Sequence, residues 1–191
     1  VFFVSGFAAL VYQTVWQRSL FAIFGINIES VTVIVTAFML GLGFGSLAGG
    51  WLSSRPNLAP LLLFSLAELG IGAFGLVSLP LFHWVGAHML PLSAASTGAV
   101  ALSLLLVPTL LMGATLPLLV EHLVMRSGNV GRSVGLLYFV NTLGSAVAAM
   151  MTAIYLLGAF GQQGAVWVAA ALNAVVGLAA LAGYAAQRRS A

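Results

Sequence analysis

Six long apolar runs, parted by short polar breaks, dominate this sequence. They cover residues 2–24, 31–52, 60–82, 97–124, 133–157 and 164–185. A helix needs about 20 apolar residues to cross the roughly 30 Å of bilayer hydrocarbon, and each run reaches that length. None shows the period-2 alternation of a strand, and an open sheet would leave backbone groups unpaired in lipid. The sequence therefore predicts an all-α membrane protein, a single domain built as a six-transmembrane-helix bundle. Composition agrees. Only 5% of the 191 residues are charged and 62% are hydrophobic, against about 25% charged in a soluble domain. Nine charges cannot coat a globule of this size, so the bilayer is the expected main partner.

The few charges carry topology. Arg55 lies between runs two and three, Arg126 and Arg132 between four and five, and Arg188 and Arg189 after six. With six crossings these five arginines share one side. The breaks on the other side hold Glu29, His83, His88, Gln162 and Gln163, with no basic residue beyond histidine. The positive-inside rule then puts the arginine side, and both termini, in the cytoplasm. Arg18, late in the first run, is the exception; it either snorkels to the outer interface or pairs with a buried acid. A net charge of +3 made of scattered arginines forms no basic patch, so no nucleic-acid partner is expected. Cysteine is absent, which excludes disulfides and thiolate metal sites. The chain opens inside an apolar run and ends just after Arg188-Arg189, so further sequence is expected beyond it.

Small residues mark packing faces. Gly41, Gly45 and Gly49 recur every four residues in run two; Gly144, Ala148 and Thr152 do the same in run five. Such ridges let helices approach closely in lipid. Gly41-Leu-Gly43-Phe-Gly45 has the look of a dinucleotide loop, but it lies inside a crossing rather than between a strand and a helix, and reads as packing. Glu68, Gly72 and Leu76 in run three are echoed by Asn173, Gly177 and Leu181 in run six. Three helices per unit makes the units inverted, the 3+3 pattern seen in each half of major-facilitator transporters. Gly50-Trp-Leu-Ser-Ser-Arg55 is similar to the loop motif of those transporters, with Ser54 where the acid belongs; a plain loop with a topology arginine is the other reading.

Glu68 sits within apolar depth, where an ionised carboxyl is costly unless paired or facing a wet cavity. Gln13, Asn141 and Asn173 lie at comparable depth. Together they form a candidate intramembrane polar site for a cationic small molecule; interhelical hydrogen bonding that merely fixes the bundle is the alternative. Tyr12, Gln13 and Trp16 are placed on one face of the first helix. Pro108 and Pro117 are expected to bend or partly unwind the fourth. Glu121-His122 reads as an interfacial pair. His83, His88 and Glu29 share the outer side but offer no metal-ligand spacing. There is no aspartate and no lysine, so no catalytic residue and no cofactor site is expected in this segment.

Several strings acquire a shared meaning when taken in order. They are the stretch from Phe3 to Arg18, Ala37–Gly50 with its glycine ladder, Leu66-Ala-Glu-Leu-Gly70, the segment from Pro108 to Pro117, and Gly131–Gly144. In these the chain resembles the membrane region of bacterial spermidine-synthase-like proteins, described as fused major-facilitator/spermidine-synthase proteins. The resemblance implies a soluble aminopropyltransferase-like domain after Arg189, on the cytoplasmic side. That domain would move an aminopropyl group from decarboxylated S-adenosylmethionine to a polyamine. Many family members carry Glu where Gln13 stands. The function expected is a membrane module that anchors the synthase-like domain and binds or passes a cationic amine such as a polyamine. An autonomous half-transporter of the major-facilitator type, working as a dimer, is the alternative.

Overall fold

The computed structural model describes residues 1–24, 28–89 and 94–190. The chain is all α-helical. Helix α1 spans Phe2–Phe24, α2 Ile28–Ser53, α3 Pro60–Met89, α4 Ala94–Ser127 and α5 Val130–Met151; a π-helical segment, Thr152–Leu156, leads directly into α6, Leu157–Ser190. Among the described residues, four helical stretches are long and apolar enough to cross a membrane: Ile34–Ser53, Pro60–His88, Ala99–Ser127 and Val130–Arg189. Helix α1 has the length, at 23 residues, but Gln13, Gln17 and Arg18 lower the apolarity of its second half.

The six separate helices predicted become five continuous stretches, because the expected break at Phe160–Gln163 contains no loop. Only Gly161 leaves helical geometry there, at φ 63° and ψ −173°. This is a backbone state open in practice to glycine alone. A chain reversal follows from geometry. Asn141 on α5 and Asn173 on α6 line one cavity, yet a straight helix would hold them about 48 Å apart. Gly161→Ala is therefore expected to destabilise the protein by about 1–3 kcal/mol, read as a lower midpoint in detergent unfolding. The other tight connection, α4 to α5, uses Gly128 at φ 67°. Its N–H bonds back to the Val124 carbonyl at 2.8 Å. Asn129 then caps α5 by accepting from the Arg132 N–H. The breaks expected at 25–29 and 83–96 fall partly outside the described residues; α3 itself stays helical to Met89.

Side-chain contacts give the helix directions. Phe2 meets Phe64, Ser5 meets Glu68 and Trp16 meets Ser78, so α1 and α3 run parallel. Gly41 abuts Thr109, Gly45 abuts Leu110 and Gly49 abuts Ala114, so α2 and α4 run parallel. Phe38 on α2 meets Trp16, while Leu42 shares a cavity wall with Leu10, so this pair opposes α1. Gly72 lies on Ala170, Gly177 on Ser65, and Gly183 near Leu61, so α6 opposes α3. Arg55, Arg126, Arg132, Arg188 and Arg189 consequently gather at the end of the bundle where α1 starts. Arg18 is exposed towards the opposite end, about 20 Å along α1 from Ser5. It does not partner Glu68.

The closest backbone approaches come in reciprocal pairs. A Cβ on Gly45 would strike the Leu110 carbonyl of α4; one on Gly144 would strike the Phe3 carbonyl of α1. Gly113 sits on the Leu42 carbonyl, and Gly6 on that of Asn141. Across α3 and α6, Gly72 faces the Ala170 carbonyl and Gly177 that of Ser65, both at 3.2 Å from an ideal Cβ. Small residues thus replace side-chain bulk where two backbones meet. Pro108 and Pro117 do not unwind α4, which is helical through both. Around Trp16, α1, α2 and α3 share an aromatic cluster. The indole stacks on Tyr12 at 4.7 Å and meets Phe74 and Phe82 edge-on. The outer surface is apolar, with Phe44, Leu47, Met150 and Ile154 exposed, as suits contact with lipid tails.

Candidate functional site

The polar residues of the helix interiors converge on one place. Glu68, about two turns into α3, is fully buried. Its Oε1 accepts from the Ser5 hydroxyl of α1. Its Oε2 accepts from Asn173 Nδ2 of α6 at 2.6 Å. Parallel packing of α1 on α3 sets the first bond, and antiparallel packing of α6 on α3 sets the second. Both partners are neutral, so the carboxyl group has donors but no counter-charge among its bonded neighbours. Asn173 is 1% exposed, and its Oδ1 has no hydrogen-bond partner among the described residues. A buried amide oxygen left unpaired is costly, and such groups usually meet a water or a ligand.

In front of this trio lies a cavity of about 160 Å³. Ser5, Gln13, Asn141, Ser145 and Asn173 contribute its polar wall, with Leu10, Phe38, Leu42, Ile71 and Met112 supplying apolar surface. Every helix from α1 to α6 contributes a residue. Thr115 and Ser145 also face it, but their hydroxyls already donate to the carbonyls of Met112 and Gly6. Gln13 and Asn141 are half-buried at its rim. Of the four site residues expected from sequence, Gln13, Asn141 and Asn173 line the cavity, and Glu68 lies behind its wall, bonded to Ser5 and Asn173. Ser5 was not expected. A lone serine in a membrane helix commonly bonds its own backbone, and the only clue was its seven-residue spacing from Tyr12 on one helix face.

One grouping is corrected. Gln13 does not share the face of Tyr12 and Trp16. Neighbouring residues on a helix point about 100° apart, so Gln13 faces the cavity while Tyr12 and Trp16 pack inside against α3. The Tyr12 hydroxyl, at Gly75, is itself without a partner among the described residues. The packing glycines Gly41, Gly45 and Gly49 line the α2–α4 contact, and Gly144 the α5–α1 contact. In the Gly50–Arg55 string, Arg55 lies over the Trp51 ring at 3.7 Å, a cation–π pair rather than an acid–arginine relay. Glu121 and His122 are half-buried near the end of α4. No group of three metal-ligating side chains occurs among the described residues.

Comparison with known proteins places the chain beside a larger one. It is 27% identical over 177 residues to polyamine aminopropyltransferase 1 of Streptomyces coelicolor. The match takes in 92% of this chain but 32% of that relative, so the chain spans about a third of the relative's length. No family model matches the chain, and no solved structure does. The helical membrane region described above is thus a distant homologue of part of a polyamine aminopropyltransferase.

Proposed function

We propose that this chain is the membrane module of a polyamine aminopropyltransferase-related protein and that its cavity holds a cationic amine. The observation that carries the binding half is the Glu68–Asn173 pair: a buried carboxyl with no charged hydrogen-bond partner beside an amide oxygen without a donor, both among the described residues. An ammonium group would supply both. Glu68 provides the charge, and Gln13, Asn141 and Asn173 provide neutral acceptors. The module crosses the bacterial inner membrane with six arms, α5 and α6 counting as two, and keeps both ends in the cytoplasm. The reciprocal glycine contacts support an inverted repeat of α1–α3 and α4–α6, as in half of a major-facilitator transporter. In such a repeat Gly45 and Leu42 correspond to Gly144 and Asn141, and Glu68 to Asn173. The homologous relative supports an aminopropyltransferase-like domain following α6 on the arginine side. The membrane module contributes none of its catalytic residues.

Two measurements test this. Because the chain lacks cysteine, Ser54→Cys gives a single label site on the arginine side. It should resist an impermeant maleimide applied to intact spheroplasts and react once they are opened; labelling from outside would reverse the topology. Purified protein in lipid nanodiscs should bind a protonated amine (1-aminobutane or 1,4-diaminobutane) saturably. Glu68→Gln should weaken that binding at least a hundredfold, because a neutral amide leaves a buried ammonium uncompensated. Equal binding by both forms would remove Glu68 from the site.

A further inference from the structure

We infer that two copies of this chain pair across the cavity, α2 of each copy packing on α5 of the other about a two-fold axis along the membrane normal. The inference concerns a surface and does not depend on what fills the cavity. Helix α2 packs on α4, and α5 packs on α1, but α2 and α5 do not pack on each other among the described residues. The cavity lies between those two pairs, with Leu42 of α2 and Asn141 of α5 in its wall. Gln13 and Asn141 are half-exposed at its rim, and Gln17 is half-exposed one turn further along α1. None of these three amides makes a side-chain hydrogen bond among the described residues. Lipid tails offer an amide neither donor nor acceptor. Polar side chains left open within a bilayer therefore mark a surface that other polypeptide covers.

Shape identifies the covering chain as a second copy. Positions three before and eight after a residue share its helix face. For Leu42 these are Met39, which is exposed, and Gly50, where a Cβ would meet nothing within 4 Å. For Asn141 they are Tyr138 and Ala149, both exposed. Each flank of the cavity thus pairs one bulky position with one small one. Helix α2 runs towards the arginine end and α5 away from it. Gly50 and Tyr138 therefore lie on the arginine side of the cavity, Met39 and Ala149 on the far side. Copies inserted the same way are related by an axis along the membrane normal, which joins residues of equal depth. Tyr138 of one copy then meets Gly50 of the other, and Met39 meets Ala149. Helical side chains lean towards their own N-terminus, which brings the Tyr138 ring towards the level of Gly50 and Met39 towards that of Ala149. The contact is isologous, so each pairing occurs twice, and small residues admit the close approach that holds helices together in lipid. Hydrogen bonding is complementary as well. An amide both donates and accepts, so the open amides of one copy match those of the other across the axis.

The experiment is thiol cross-linking between copies, since the chain has no cysteine of its own. Two differently tagged forms, one Met39→Cys and one Ala149→Cys, are co-expressed, reconstituted in liposomes at high lipid dilution and oxidised. A product carrying both tags should form at least tenfold more than from Leu47→Cys with Ala149→Cys. Leu47 is equally exposed on α2 but lies about 140° round the helix from Leu42. Ala149→Trp should fill the gap that receives Met39 and turn two copies into one, counted by single-molecule photobleaching in the same liposomes. Its unfolding midpoint in mixed micelles should not move, because Ala149 is exposed in the single copy. Cross-linking no stronger from position 39 than from position 47 overturns the pairing. So does a parent chain that photobleaches as single copies, which would leave the open amides to water or to a different polypeptide.

Discussion

Gly144→Leu is expected to separate α5 from α1 and to cost about 3 kcal/mol, the upper end of what inserted atoms cost a packed core. The obstacle is backbone. The first carbon of any side chain at 144 would collide with the Phe3 carbonyl, and a carbonyl in a helix cannot rotate aside without breaking its own hydrogen bond. Gly45→Leu should behave alike, because its Cβ would meet the Leu110 carbonyl on α4. Gly43 is the control. It stands two residues from Gly45, and a Cβ there meets nothing within 4 Å. Gly43→Leu should therefore leave stability unchanged and merely add apolar surface towards lipid. The measurement is the unfolding midpoint in mixed micelles of increasing SDS content. A Gly43 variant as unstable as the Gly144 variant would mean that general glycine content, not backbone contact, sets the stability.

Trp16→Ala should produce the second large loss, about 2–4 kcal/mol. Aqueous cores lose about 3–5 kcal/mol for such a truncation. Lipid lessens the transfer part, since tails solvate an exposed ring well, while the vacated volume remains. Trp16 is fully buried and touches Tyr12, Phe38, Phe74 and Phe82. Its Nε1 donates to Ser78 Oγ at 2.9 Å. Trp16→Phe keeps most of the rings in contact and loses that bond, so about 0.5–1 kcal/mol is expected, the usual size of an interhelical hydrogen bond in lipid. The same micelle titration separates the two variants. Equal losses for Ala and Phe would put the indole N–H, rather than the ring, in charge of this junction.

Helix positions were legible because apolar run length is a direct consequence of bilayer thickness. Polar residues within the runs were legible for the complementary reason. Glu68, Gln13, Asn141 and Asn173 are costly in hydrocarbon unless they find one another, and the structure gathers the three amides on one cavity wall with Glu68 behind it. Three features were not legible. Gly-Gln-Gln at 161–163 reads as a loop, yet one glycine at positive φ makes the reversal and leaves both glutamines helical. Pro108 and Pro117 read as sites of bending or partial unwinding, yet α4 is helical through both, with Pro117 itself touching the Gly49 position. Ser5 was hidden because its role depends on which residue of α3 stands opposite, and a single sequence does not state helix register.

The loopless joint between α5 and α6 has a mechanical consequence. Asn141 rides on one arm of this hairpin and Asn173 on the other, with hydrogen-bonded helix running between them save at Gly161. The angle set at Gly161 therefore fixes how the α5 arm, with Asn141 on the cavity wall, and the α6 arm, with the amide that donates to Glu68, stand against each other.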